Sequence, residues 1–193
     1  LNKLQLDQIR DERREQIKQA ALKIFARHGF AGTKTSMIAT EAGISEGLIY
    51  RYFKSKDELF TTIVRELMEV AQKETQNVAY LPGSPFEQIK AFTASMLDKD
   101  VKYPFMLILR IRKEEGLPHE VTKILTENSF NVVIERLVPV FIKGQQAGEF
   151  CEGDPRKLLG WYLYIVNFLI VEEAEQEDYG FPDLDFLMRM LAK

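Results

Sequence analysis

Sulfur and imidazole chemistry are nearly absent from this chain: its 193 residues include one cysteine, Cys151, and two histidines, His28 and His119. A single thiol closes no internal disulfide, and Cys151 has no cysteine or histidine cluster around it that would suggest zinc. A reducing cytoplasm is the expected compartment. His28 falls in the last turn of a helical segment, where imidazole complements the helix dipole. His119 follows Pro118 at a helix start with no second ligand near it, so no metal and no cofactor is expected. A glycine-rich phosphate loop and a nucleophile–base pair are also missing, which speaks against an enzyme. Long apolar runs are lacking too. The one that approaches a membrane span, Leu158 to Val171, falls short of the roughly 18–20 residues needed and carries Gly160 and Asn167. A buried helix is the better reading, and no membrane partner is expected. The chain starts at Leu1 rather than methionine, and its first residues show no signal-peptide pattern.

What is present belongs to a folded protein, with 46% hydrophobic and 28% charged residues. The net charge of −3 conceals an asymmetry. Through Phe60 there are eleven Lys and Arg against eight Asp and Glu, so the remainder carries a net of six negative charges. A mildly basic head on an acidic body suits a nucleic-acid module joined to something that avoids nucleic acid.

Helical periodicity runs throughout, and no segment shows strand alternation, so an all-α fold of about nine helices is expected. Ile17, Ala20, Ala21, Ile24 and Phe25 form one stripe, with Gly29 as its C-cap. Two short helices follow. Thr35 or Ser36 caps the first, which ends near Ala42 and Gly43; Ser45 caps the second, which runs to about Phe53. Ser55 caps a long helix with Asp57 and Glu58 in its first turn. Leu81-Pro82-Gly83-Ser84-Pro85 is the clearest loop. Beyond it, helices are expected at about 86–98, 102–115, 119–147, 156–177 and 183–192, with Pro139 kinking or breaking the long one. Glu172 to Asp178 reads as a solvated acidic helix end.

The turn Ala42-Gly43-Ile44-Ser45 joins two helices of about two turns each, with glycine where the chain reverses. That spacing is a helix-turn-helix, whose second helix enters the major groove of DNA. In that helix Leu48, Ile49 and Phe53 can pack inward, leaving Glu46, Gly47, Tyr50, Arg51 and Tyr52 for contact. Gly47 costs the helix roughly 1 kcal/mol against alanine, which makes sense if another backbone must come close. Lys56 stands at the next helix start, where ammonium and free N–H groups can grip a phosphate.

The stretch Ile17 to Phe60 resembles the DNA-binding domain of the TetR family of transcriptional regulators. The resemblance rests on Ala20-Ala21, Phe25, Gly29-Phe30, Thr35, Ile38-Ala39, Ala42-Gly43-Ile44-Ser45, Gly47, Ile49-Tyr50, Tyr52-Phe53, Lys56 and Leu59-Phe60. It implies a helix-turn-helix domain over 1–55 and a helical sensing and dimerisation domain over 56–193. Lys34 and Thr35 would touch the DNA backbone. Ser45, Glu46, Gly47 and Arg51 would face base edges or nearby phosphates, and Tyr50, Tyr52 and Lys56 would clamp phosphates. Glu46 brings an acid to this face. It repels phosphate but can accept from cytosine N4, so it either reads a base or faces solvent.

In the body, the segment from Leu158 to Ile170 is apolar around its whole circumference, which calls for burial on every side. Leu184, Leu187, Met188 and Leu191 form one stripe of the last helix. The resemblance implies that these two segments build a dimer interface, with Trp161, Ile165 and Phe168 contributed by the first. It also implies an effector pocket among the aromatics and methionines Phe92, Met96, Tyr103, Met106, Trp161 and Tyr164. Cores hold the same residue types. The function expected is a homodimeric repressor released from a palindromic operator by a small molecule. A body that binds a protein partner, or a regulator that activates, shares every N-terminal feature.

Overall fold

In the computed structural model, described over residues 3–98, 101–172 and 182–193, the chain is all-helical. Helix α1 spans Lys3–Gly32, α2 Thr35–Ala42, α3 Glu46–Tyr52 and α4 Lys56–Asn77, with a 3-10 turn at Val78–Tyr80. Then come α5 (Pro85–Met96), α6 (Lys102–Ile111), α7 (His119–Glu127), α8 (Phe130–Gln146), α9 (Pro155–Glu172) and α10 (Leu184–Met188). Two compact units divide the chain: one holds residues 1–67 and 106–124, the other 68–105 and 125–193.

In the first unit the aromatic core is centred on Phe60, whose ring lies 4.7 Å from both Phe25 and Phe30. Helix α1 leaves regular geometry at Gly29, with φ 72° and ψ 178°, a conformation that glycine adopts without steric cost. Three distant side chains converge on this turn. The Arg110 Nε donates to the Ala26 carbonyl at 3.1 Å. The Glu114 carboxylate accepts from the backbone N–H of Phe30 at 3.1 Å and of Ala31 at 2.9 Å. The Lys56 ammonium donates to the carbonyls of Phe30 at 2.8 Å and Thr33 at 3.0 Å, and lies 4.3 Å from the centre of the Phe30 ring. Backbone groups that a broken helix leaves unpaired thus find charged partners.

Helix α2 ends on Gly43 in the left-handed region, where the Ile44 N–H returns to the Ala39 carbonyl and that of Gly43 to Thr40. This double closure turns the chain sharply into α3. Lys34, not Thr35 or Ser36, occupies the N-cap of α2. Thr35 is itself the first helical residue, and its hydroxyl donates to Glu46. Ser45 holds the N-cap position of α3 without a side-chain bond. Ser55 does cap α4, accepting from the Glu58 N–H at 3.1 Å.

The expected helix over 119–147 is two helices. Ser129 is extended (φ −63°, ψ 160°) and its carbonyl accepts from Val132, so the chain restarts there. Pro139 does not break α8: it sits inside the helix on an exposed face, flanked by buried Leu137, Val138, Val140 and Phe141. The missing N–H there opens toward solvent while its neighbours hold the turn in the core. Helix α6 stops at Ile111, four residues before the expected end, leaving Glu114 outside the helix to reach the Gly29 turn. The last helix is shorter than 183–192. After Met188 the chain turns, and Phe150 pairs with Ala192 in an antiparallel bridge, with the Cys151 N–H donating to the Leu191 carbonyl at 2.9 Å. The acidic run after Glu172 lies outside the described residues.

In the second unit, α5, α8, α9 and α10 contribute to one apolar core that includes Ile89, Phe92, Met96, Leu137, Phe141 and Leu163. Its polar insertion is satisfied: the Tyr162 hydroxyl donates to Thr93 Oγ1 at 2.9 Å, and Thr93 donates in turn to the Ile89 carbonyl at 3.0 Å. Burial pushes the Tyr162 phenol above its ordinary pKa, with the Thr93 hydrogen bond opposing.

Replacing Glu114 with alanine strips two backbone N–H groups of their charged acceptor. A loss of about 1–3 kcal/mol is expected, read as a lower denaturant midpoint at unchanged slope. An unchanged midpoint would mean that solvent replaces the carboxylate at no cost.

Candidate nucleic-acid interface

Helices α2 and α3 are fixed from behind by α1. The Gln16 amide donates to the Ala42 carbonyl at 2.8 Å, holding the turn between them. An Arg14 guanidinium N–H reaches the Tyr52 carbonyl at 3.3 Å, and the group stacks 4.4 Å from the Phe53 ring centre. Ile38, Ala39, Ile49 and Phe53 are buried beneath. Leu48, expected to pack inward, is only half-buried.

The opposite face is open. Lys34, Ser45, Glu46, Gly47, Tyr50 and Arg51 are exposed, with Thr35 and Tyr52 half-buried beside them. Among the described residues no hydrogen bond or ion pair engages the side chains of Lys34, Ser45 or Arg51. Two cations therefore stand unneutralised where a polyanion would lie. At Gly47 a Cβ would meet nothing within 4 Å, so no internal contact demands glycine at this helical position. Thr35, Glu46 and Tyr50 form a cluster: the Thr35 hydroxyl donates to Glu46 Oε1, and the Tyr50 hydroxyl lies 3.2 Å from Thr35 Oγ1. Lys56 is half-buried, and two of its three N–H donors are spent on the Gly29 turn.

Comparison with known proteins gives the chain a family. Residues 17–63 match the family described as bacterial regulatory proteins, tetR family. The fatty acid metabolism regulator protein of Bacillus subtilis is 38% identical over 150 residues, covering 72% of this chain and 71% of the relative. The chain belongs to the TetR family. The transcriptional repressor SCO4008 of Streptomyces coelicolor is 28% identical over 155 residues, covering 79% of this chain and 76% of its own. The crystal structure of a TetR-family regulator from Agrobacterium tumefaciens shares the fold, with a TM-score of 0.72 at 18% identity over 95% of this chain and 99% of that one. As a TetR-family member the protein is a DNA-binding transcriptional regulator.

The body of this TetR-family chain distributes the other candidate residues unevenly. Phe92 and Met96 are buried in the second unit's core. Tyr103 and Met106 are half-buried on α6. Trp161 and Tyr164 are exposed, 62% and 65%, unlike the buried Phe92 and Met96. Tyr164 instead packs its ring 4.8 Å from Phe130. On α9, Leu159, Tyr162, Leu163 and Val166 are buried, while Trp161, Tyr164, Ile165 and Phe168 form an exposed stripe at helical spacing. The last helix turns Leu187 and Met188 inward, with Leu191 also buried and Leu184 packed partly against the same core. Phe186 on that helix and Met190 just after it are exposed. Among the described residues no group of three or more His, Cys, Asp or Glu could hold a metal ion, and no helix is long and apolar enough to cross a membrane.

Proposed function

We propose that the protein is a cytoplasmic homodimeric repressor whose two recognition helices read a palindromic operator, and that a small molecule bound by the body releases it. The observation that carries the DNA-reading assignment is the open face around Gly47, flanked by the unpartnered Lys34 and Arg51. Lys34 and Arg51 supply charge to phosphates or base edges, and Ser45 and Glu46 stand at the start of α3 where base edges are approached. Tyr52 flanks the backbone, and the Tyr50 hydroxyl stays against Thr35. Thr35 is held behind them, and Lys56 contributes chiefly by fixing the end of α1, with one donor left for a phosphate. Residues 1–55 are then the reading head, and 56–193 the sensing and dimerising body.

Dimerisation is supported by the α9 stripe. Three of its four large apolar side chains are at least 60% exposed, which is costly in water unless a second surface covers them. A second copy supplies that surface by two-fold symmetry, with Trp161, Ile165 and Phe168 at its centre. Leu184, Leu187, Met188 and Leu191 serve the subunit's own core and support the interface from behind. The name of the Bacillus subtilis relative points to fatty acid metabolism as the process controlled. An effector acts by binding one arrangement of the body better than another, and by linkage operator DNA weakens effector binding by the same factor.

Two measurements separate the parts of this reading. Gly47→Ala should raise fold stability by about 0.5–1 kcal/mol yet weaken duplex binding severalfold, because the methyl occupies the space DNA must enter. Unweakened binding would remove α3 from the interface. Sedimentation equilibrium should show a dimer at micromolar concentration, with an interface above about 1,000 Å², and Trp161→Glu should shift it to monomer. A monomeric native protein would contradict the assembly.

A further inference from the structure

The cluster of Thr35, Glu46 and Tyr50 has a fixed direction of hydrogen bonding. Thr35 has one hydroxyl proton, and the Glu46 carboxylate, which can only accept when ionised, takes it at Oε1. Thr35 Oγ1 is then available to Tyr50 only as an acceptor, so the Tyr50 hydroxyl is the donor across their 3.2 Å contact. Both hydroxyl protons run inward, from Tyr50 to Thr35 to Glu46. What the trio presents outward is lone pairs.

A phosphate oxygen needs donors, so this part of the face is built against phosphate. It suits a donor on a base edge. Glu46 is the first residue of α3, exposed, and its Oε2 has no protein partner among the described residues. The bond from Thr35 fixes the other oxygen, so the free one is held in place rather than swinging on a flexible side chain. In the major groove, adenine pairs its amino group with the N7 acceptor, which would repel a carboxylate, whereas cytosine offers its N4 amino group without an acceptor of its own.

We propose that Glu46, oriented by the relay through Thr35 and Tyr50, is a specificity-determining residue that reads a cytosine in each half-site of the operator. This rests on the assignment of the α2–α3 face to DNA and adds to it which base is read, and by which atom. Thr35 and Tyr50 become positioning residues for the reader rather than phosphate clamps.

The test is selection of bound fragments from random duplex DNA by the full-length protein and three variants. The native chain should enrich a site with a near-invariant cytosine at one position of each half. Glu46→Gln should move the preference at that position to adenine, whose N6 and N7 match an amide, and leave the other positions unchanged. Thr35→Val and Tyr50→Phe should keep cytosine but relax it, by about tenfold at most, because the carboxylate is no longer held. Identical base preferences in the native chain and Glu46→Gln would overturn the proposal while leaving the DNA assignment standing. A native chain that enriches no sequence would overturn both. If Thr35→Val relaxed every position equally, the relay would have no positioning role, and that part would fall.

Discussion

The turn at Gly29 is the constraint on which the first unit depends. A helix that stops abruptly strands carbonyls on one side and N–H groups on the other, and buried groups of that kind must be paired. Here the pairing comes from far along the chain. Arg110 serves the carbonyl end, Glu114 the N–H end, and Lys56 the carbonyls that follow. A side chain at Gly29 would be strained by the φ of 72°, and its Cβ would stand 2.9 Å from the Glu114 carboxylate, which would have to move off the turn. One backbone defect thereby ties α1 to the start of α4 and to the segment after α6.

The α2–α3 pair is held by other side chains of the same helix α1. Helices α2 and α3 are short, and helices of that length are unstable alone, so their shape has to come from packing. Arg14 and Gln16 on α1 hold the far ends of α2 and α3 through the Ala42 and Tyr52 carbonyls. The polar face from Lys34 to Arg51 can then spend its side chains outward. Glu46 fits the same pattern: a carboxylate on a helix that faces DNA would be a liability if free to rotate, and would read a base only when a neighbouring hydroxyl holds it, as Thr35 does. The body answers a different requirement. Helix α9 is covered on one side by its own unit, and its exposed aromatic stripe is the surface a second copy would bury.

Much of this was legible in the sequence, and the exceptions have physical reasons. The helices α1 to α4 follow from local signals: a 3.6-residue stripe, glycine at the reversal and serine before the acidic first turn of α4. Those signals act over a few residues, so neighbours in sequence report them. The Glu114 contact spans 84 residues, and no local pattern announces it. The Thr35 contact of Glu46 is equally silent in the sequence, because it is set by how α2 meets α3. At α7 and α8 two signals competed. Pro139 points to a break inside α8, whereas the chain restarts at Ser129, and an exposed proline between buried neighbours costs a helix little continuity. In the body, periodicity shows which side chains share a face and is silent on what covers that face. Leu187, Met188 and Leu191, expected at the dimer interface, are buried in the subunit's own core. Trp161, expected in the pocket and at the interface, and Tyr164, expected in the pocket, are exposed.

In this arrangement one face, from Lys34 to Arg51, would meet DNA while the Gly29 turn stays closed behind it. Hydroxyl-radical footprinting of the protein, read by mass spectrometry with and without a bound duplex, addresses both halves at once. Tyr50 should lose reactivity when DNA is bound, together with the peptide carrying Ser45 to Arg51. Phe30, beneath the Lys56 ammonium, should react equally slowly in both states. Protection of Phe30 or of the α9 stripe by DNA, with Tyr50 unchanged, would contradict the account.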